Sequence, residues 1–228
     1  MSSEFPGSVP TSISVEGSDR LPSETASDWV TYADYVVIVH AAAEEVQKPT
    51  AGEVKRGEGS VLRKVTMTVD KVLWSSPSTK IAPPDGSFSY LAFGYAFTNG
   101  NFDRQTPMVA NDEPRFEVGH TYIMALTWQA DRCTPGDYVA GEWRGLGSDG
   151  ALPFDGAVIG NGEFEGQSVK PFGYPRSFDA AEKPFIATLT GKSSSDLVSA
   201  LRAAPVEQKG DYLPPPAPCT ADHLPAGR

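Results

Sequence analysis

Two stretches with strand periodicity dominate the first third of the chain. Residues 34–46 open Tyr35-Val36-Val37-Ile38-Val39, apolar at consecutive positions, as in a strand buried on both faces. Residues 61–74 alternate instead. Val65, Met67 and Val69 point one way, and Lys64, Thr66, Thr68 and Asp70 point the other. That is the period of a strand with one buried and one wet face. After Val69 the alternation breaks: keeping register buries Leu73 with Lys71, and slipping by one buries Val72 and Trp74. A β-bulge is therefore expected near Asp70 and Lys71, bending the strand. Ala41 to Lys48 are good helix formers, so the first strand is expected to end at about Ala43, with a charged loop over 49–59.

The same pattern continues downstream. Residues 88–97 form an apolar strand in which Gly94 permits a bend or bulge. Further strands are expected at 121–128 and 138–146, with short ones at 151–154 and 157–159. Turn chemistry separates them at Pro83-Pro84-Asp85-Gly86, Asn99-Gly100, 131–136 and Asp155-Gly156. Residues 101–115 and 161–184 read as long loops. Helical patterns occupy 26–33, capped by Ser23 or Thr25, and 191–204, where Leu197, Val198 and Leu201 share a side. Ile13-Ser14-Val15 is the one alternation in the N-terminal arm and can pair as an edge strand. The expected organisation is a flexible arm over 1–22, one domain over 23–205 and a Pro-rich tail over 206–228.

Composition narrows the function classes. A chain of 228 residues with 22 Gly and 20 Pro reads as rich in turns, and it is long enough to fold without a disulfide or metal. The net charge of −10 disfavours nucleic acid and anionic membrane surfaces. No apolar run approaches the ~20 residues of a membrane span. The first residues show no signal peptide, which leaves an intracellular protein or a mature secreted or cell-envelope form. Cys133 and Cys219 either form one long-range bridge or stay two free thiols. Neither has a Cys or His at zinc-ligand spacing, and no cofactor is expected.

Three segments carry a resemblance. Ala33-Asp34-Tyr35-Val36-Val37-Ile38-Val39 follows a short helix, Met67-Thr68-Val69-Asp70-Lys71-Val72-Leu73 forms the second strand, and Gly119-His120-Thr121-Tyr122-Ile123-Met124 opens a later one. Over roughly residues 27–160 this order resembles a bacterial OB-like β-barrel domain of unknown function, often found in secreted proteins. The segment from Gly150 to Val158, with Asp155-Gly156, fits the same pattern. The resemblance implies an all-β fold with minor helix: an antiparallel OB-like barrel with a short N-terminal helix and one C-terminal helix. It implies no catalytic residues, and a fold does not specify a function.

Candidate chemistry is sparse. His40, His120 and His223 lack an accompanying nucleophile elbow. Carboxylates pair in sequence at Glu44/Glu45, Asp112/Glu113, Asp149/Asp155 and Glu163/Glu165. Glycoside hydrolysis needs two carboxyls held ~5–10 Å apart across a cleft, and Glu163 and Glu165 would share a face if their segment were extended. The glycines from Gly145 to Gly150 precede no helix pattern and so offer no phosphate cradle. Trp128, Trp143, Phe93, Tyr95 and Phe97 lie on expected strands and read as core. The loop aromatics Phe164, Phe172, Tyr174, Phe178 and Phe102 are the candidate binding surface. The expected function is a non-catalytic binding or interaction module for a protein or small molecule. The alternatives are a small hydrolase using Glu163 and Glu165, and a single-stranded nucleic-acid-binding barrel.

Overall fold

The computed structural model describes residues 12–15, 19–103, 105–110, 113–134, 137–170, 185–212 and 219. Its framework is a strand meander made of β2 (Tyr35–Val46), β3 (Gly59–Ser75) and β4 (Ser87–Phe97). The sheet extends beyond β4 through β5 (Thr106–Ala110) to β1 (Ile13–Val15). On its other side, β6 (Thr121–Gln129) returns to lie beside β2, a Greek-key connection. The far edge of β6 carries both β9 (Glu142–Gly145) and β10 (Ala151–Pro153). The eight strands make one mixed sheet, antiparallel except for the parallel pair β1–β5. Two small hairpins stand apart from it: β7 (Arg132–Thr134) with β8 (Asp137–Val139), and β11 (Gly162–Phe164) with β12 (Gln167–Val169).

The consecutive apolar residues of β2 are explained by two cores, one on each face of the sheet. Tyr35, Val37, Val39 and Ala41 pack with Val65, Met67, Tyr122, Met124 and Leu126 inside the curl. Val36 packs the other way with Ile123 and Ala125, under a layer of helices. That layer comprises α1 (Ala26–Tyr32), α3 (Phe185–Leu189) and α4 (Ser194–Ala203), which bury Trp29, Ile186, Leu189, Leu197 and Leu201. Thr25 caps α1 and Ser193 caps α4, each through a reciprocal capping box with an aspartate.

Bulges bend the meander where the sequence loses its period. Ile38 pairs with Lys71 and Val39 with Val69, so Asp70 is the extra residue, as the broken alternation predicts. A second shift skips Leu73, and both Leu73 and Trp74 then pack against the helical layer. Leu62 pairs with Phe93 and Val61 with Tyr95, leaving Gly94 as the bulge of β4. A side chain at Gly94 would run into the Val61 carbonyl.

Several sequence expectations require correction. The first strand continues to Val46, because Ala43 to Val46 pair with Thr66 to Arg63 and the ladder overrides helix propensity. The expected charged loop contains α2 (Ala51–Arg56), capped by Thr50 and Glu53 and stopped at Gly57 in the left-handed region, φ 74°. The stretch 101–115 contains β5, and 161–184 contains the β11–β12 hairpin. The expected strand 138–146 is split into β8 and β9, and 157–159 is not a strand. Two helices, α3 and α4, follow the sheet in place of one. The sheet is not wholly antiparallel, and among the described residues no ladder joins β4 to β9, so no closed barrel forms.

The described start of the tail is docked. Glu207 N–H donates to Thr31 Oγ1 at 2.9 Å and Gly210 N–H to the Tyr32 hydroxyl at 3.0 Å. Tyr212 meets the Tyr32 ring edge-on, with centroids 5.7 Å apart. Cys219 is disulfide-bonded to Cys133 across 86 residues of sequence. No helix among the described residues is long and apolar enough to cross a membrane.

A bridge closing that long a loop contributes about 4–5 kcal/mol in the chain-entropy account. Cys219→Ser is therefore expected to lower the urea unfolding midpoint strongly. An unchanged midpoint would show that the bridge does not constrain the unfolded chain.

Candidate functional site

The sheet leaves two strand edges facing each other. Among the described residues β4 has a partner on its outer side only where Tyr95 and Ala96 meet β5, and β9 is paired only to β6. Between them lies a cleft of about 260 Å³. Tyr90, Leu91 and Phe93 form the β4 wall, Trp128 and Gln129 the β6 wall, and Arg144 and Gly145 the β9 wall. Asp19, Arg20 and Leu21 reach it from the N-terminal side, and Glu113 from the segment before β6. A second cavity of about 190 Å³ shares Tyr90, Leu91, Phe93, Glu113 and Arg144, prolonging the groove along β4 toward Met108.

The walls are held by aromatic packing. The Tyr90 ring meets Phe116 at 5.0 Å between centroids, and Trp128 meets Trp143 at 5.2 Å. Leu91 and Phe93 remain 44% and 37% exposed, so Phe93, expected in the core, is a surface residue of the cleft. A Cβ at Gly145 would stand 2.8 Å from the Tyr90 hydroxyl, so the glycine keeps this end open.

Carboxylates gather at one end. Burial first, and then the charges of Asp19 and Asp149, push the Glu113 carboxyl up to about 7. Burial, then Glu24 and Asp19, push Asp149 up to about 6. Asp19 accepts from Ser148 N–H at 2.9 Å and from the Ser148 hydroxyl at 2.5 Å. Burial also pushes the Tyr90 phenol up. The two cations of the cleft are already engaged: Arg144 donates twice to Glu142, at 3.0 and 2.6 Å, and Arg20 donates to Gln129 at 2.9 Å.

The residues proposed from sequence are largely elsewhere. Phe164 is buried at 3% exposure and cannot serve as a surface aromatic. Phe102 is partly exposed and packs against Phe97. Phe172, Tyr174 and Phe178 lie outside the described residues, as does His223. Glu163 is enclosed, and its carboxylate accepts from Phe116 N–H at 3.2 Å, Gly166 N–H at 2.5 Å and the Tyr122 hydroxyl at 3.3 Å. Glu165 sits in the hairpin turn at φ 50°, followed by Gly166 at φ 77°. The segment is not extended there, so the two carboxyls do not share a strand face. Neither lines the cleft.

The sequence pairs also separate. Glu113 lines the cleft and Asp149 acts on it through its charge, whereas Asp155 pairs with His120 Nδ1 at 2.6 Å and accepts from Thr121 N–H at 2.8 Å. His40 makes a similar surface pair with Asp70 at 2.9 Å. Among the described residues no group of three His, Cys, Asp or Glu is placed to hold a metal.

The largest polar feature missed by sequence reasoning is the buried pair Arg63 and Arg115. Arg63 Nε donates to the Phe93 carbonyl at 2.9 Å, its Nη1 to Glu44 at 2.5 Å, and its Nη2 to the Arg115 carbonyl. Arg115 Nη1 donates to the Gly94 carbonyl at 2.9 Å and to Met108, its Nε pairs with Glu117 at 2.6 Å, and its guanidinium lies 4.9 Å over Tyr95. Arg63 occupies an inward position of an alternating strand, where only its charge marks it as unusual. The comparison of the chain with protein families, curated proteins and solved structures gives no match.

Arg63→Met would leave Glu44 and two buried carbonyls without a donor, at a cost of about 3–5 kcal/mol. A urea midpoint within error of the parent would refute the clamp. For Glu163, burial raises the carboxyl from 4.5 to about 7, with Glu117 adding to it against the lowering effect of the N–H donors. Between those values the folded chain binds more protons than the unfolded one, so this site makes stability fall as pH rises. Glu163→Gln should remove a pH-dependent loss on the order of 3 kcal/mol between pH 4.5 and 7.5. Parallel stability profiles for parent and variant would contradict the buried, proton-binding carboxyl.

Proposed function

We propose that the chain is a non-catalytic binding module that holds its ligand in the cleft between β4 and β9. The observation that carries this is the cleft itself: two strand edges unpaired among the described residues, with Leu91 and Phe93 exposed beside Tyr90 and Trp128. Uncharged, proline-free strand edges are ordinarily blunted or covered. The eight residues from Ser87 to Gly94 carry neither a charge nor a proline, and no described strand pairs with their outer edge. Apolar walls with a few convergent polar groups are the usual make-up of a ligand site.

The same reading takes the curled sheet as an OB-like barrel left open along one seam. The order β4-β3-β2-β6-β9 supports it, as do the bulges at Asp70, Leu73 and Gly94 that bend the meander. An OB-fold is itself a partly open five-stranded Greek-key barrel. A hydrolase built on Glu163 and Glu165 finds less support, because one carboxyl is enclosed and the other is in a turn. Nucleic acid is disfavoured by the net charge of −10 and by the carboxylates at the cleft.

Amide chemical-shift mapping with a panel of small aromatic probes tests the proposal. Shifts are expected to concentrate on Tyr90, Leu91, Phe93 and Trp128. Gly145→Val, which drives a side chain against Tyr90, should abolish them while the fold persists. Shifts centred on 161–170, or unaffected by Gly145→Val, would place binding elsewhere.

A further inference from the structure

We infer that β1 and Asp19 anchor a strap across the open seam of the sheet, which sets the width of the β4–β9 cleft and so the size of ligand it admits; the size limit rests on the binding role proposed for that cleft. The anchors lie on opposite sides of the seam. On one side β1 pairs in parallel with β5, Ile13 with Met108, Ser14 with Val109 and Val15 with Ala110. Those three β5 residues line the end of the groove that runs along β4. On the other side Asp19 accepts from Ser148 N–H at 2.9 Å, from the Ser148 hydroxyl at 2.5 Å and from the Ser23 hydroxyl at 3.3 Å. Ser148 directly follows Gly145, Leu146 and Gly147 of the cleft wall. Arg20 then reaches Gln129 of β6 at 2.9 Å, and Leu21 packs against the core under the helices.

Covalent length turns these anchors into a tether. Three residues separate Val15 from Asp19. An extended chain covers at most about 3.6 Å per residue, so the two Cα atoms stand within about 14 Å of each other. While both anchors hold, β5 and the turn after β9 cannot part further than that link allows. Among the described residues no ladder joins β4 to β9, so the strap supplies a link across the seam that the sheet does not. The β9 side is shaped to receive it: a Cβ at Gly147 would stand 2.6 Å from Ser23 Oγ and 2.8 Å from Asp19 Oδ2. Both anchors are also releasable. β1 is three residues long with Ile13 42% exposed, and Asp19 lies at the surface. Short, exposed contacts belong to the low-stability end of a fold, from which the moving parts of binding sites are drawn.

An apolar cavity of about 150 Å³ takes one benzene ring, so a cleft of about 260 Å³ suits two fused rings and is too small for three. Indole and carbazole, both uncharged, are the probes, titrated against the Trp128 side-chain and Leu91 amide signals. The parent should bind carbazole at least about tenfold more weakly than indole. Two variants cut the strap at opposite ends: Ser14→Pro, which puts a proline into β1, and Asp19→Ala, which removes the acceptor shared by Ser148 and Ser23. Each should tighten carbazole at least about tenfold. The double variant should do no more than either alone, because a tether cut once is already slack. Ser14→Pro should leave indole binding unchanged.

Solvent exchange of the Trp128 indole N–H gives a readout without ligand. It should rise in Ser14→Pro and Asp19→Ala alike, and no further in the double variant. Faster exchange while no probe shifts the cleft signals supports the strap and ends the binding role. Unchanged exchange, with indole bound and carbazole no tighter in either variant, overturns the strap and leaves the cleft a binding site. Effects of the two variants that add would mark two separate local contacts and overturn the tether. Carbazole bound by the parent as tightly as indole overturns the size limit. Unchanged exchange with no probe bound ends both readings.

Discussion

The architecture depends on two guanidiniums held inside the curl of the sheet. Arg63 and Arg115 together donate to the backbone carbonyls of Phe93, Gly94, Met108, Arg115 and Phe116, on three separate segments. A bulged strand and a left-handed residue leave carbonyls that no ladder can satisfy, and buried carbonyls must be paired. Phe116, at φ 59°, is such a residue. Its carbonyl faces Arg63 and its N–H is taken by Glu163. Glu44 and Glu117 supply the counter-charges at the half-exposed rim. Removing either arginine would strand acceptors, whereas an apolar core of the same volume would have no use for them.

That clamp also decides where the sheet opens. By occupying the carbonyls of Phe93 and Gly94, the arginines use the end of the β4 edge nearest β5. The remainder of the edge faces β9 across the cleft with no partner strand among the described residues. The bulge at Gly94 turns the strand there, and glycine at 145 leaves room for the Tyr90 ring. The cleft is thus a by-product of how β4 is bent and anchored. Its lining carboxylates, Asp19 and Glu113, come from two distant segments that the same folding brings together, the chain before α1 and the link before β6.

Much of the framework was legible in local pattern. The double-sided apolar run at Val36 and Val37 signalled a strand covered on both faces, and the helices that cover it carry their capping boxes in sequence. Loss of period after Val69 located the bulge at Asp70. The short strands were harder to see. β5, with the sequence Thr-Pro-Met-Val-Ala, is too brief for periodicity to register, and it exists because β1 and β4 flank it. The hairpin at 162–169 is set by its positive-φ turn at Glu165 and Gly166, and its burial by contacts with Phe116 and Tyr122.

The amino-acid sequence by itself determined the strand-forming runs, the caps, the bulge and an acidic surface, because each depends on neighbours a few residues away. Only the tertiary structure decided that Cys133 meets Cys219, that Glu113 meets Asp19 and Asp149, and that Phe93 faces a cleft while Phe164 is enclosed. Those outcomes depend on sheet curvature and strand order. Curvature sums small bulge angles over many residues, and no local pattern records where the two edges will stop short of each other.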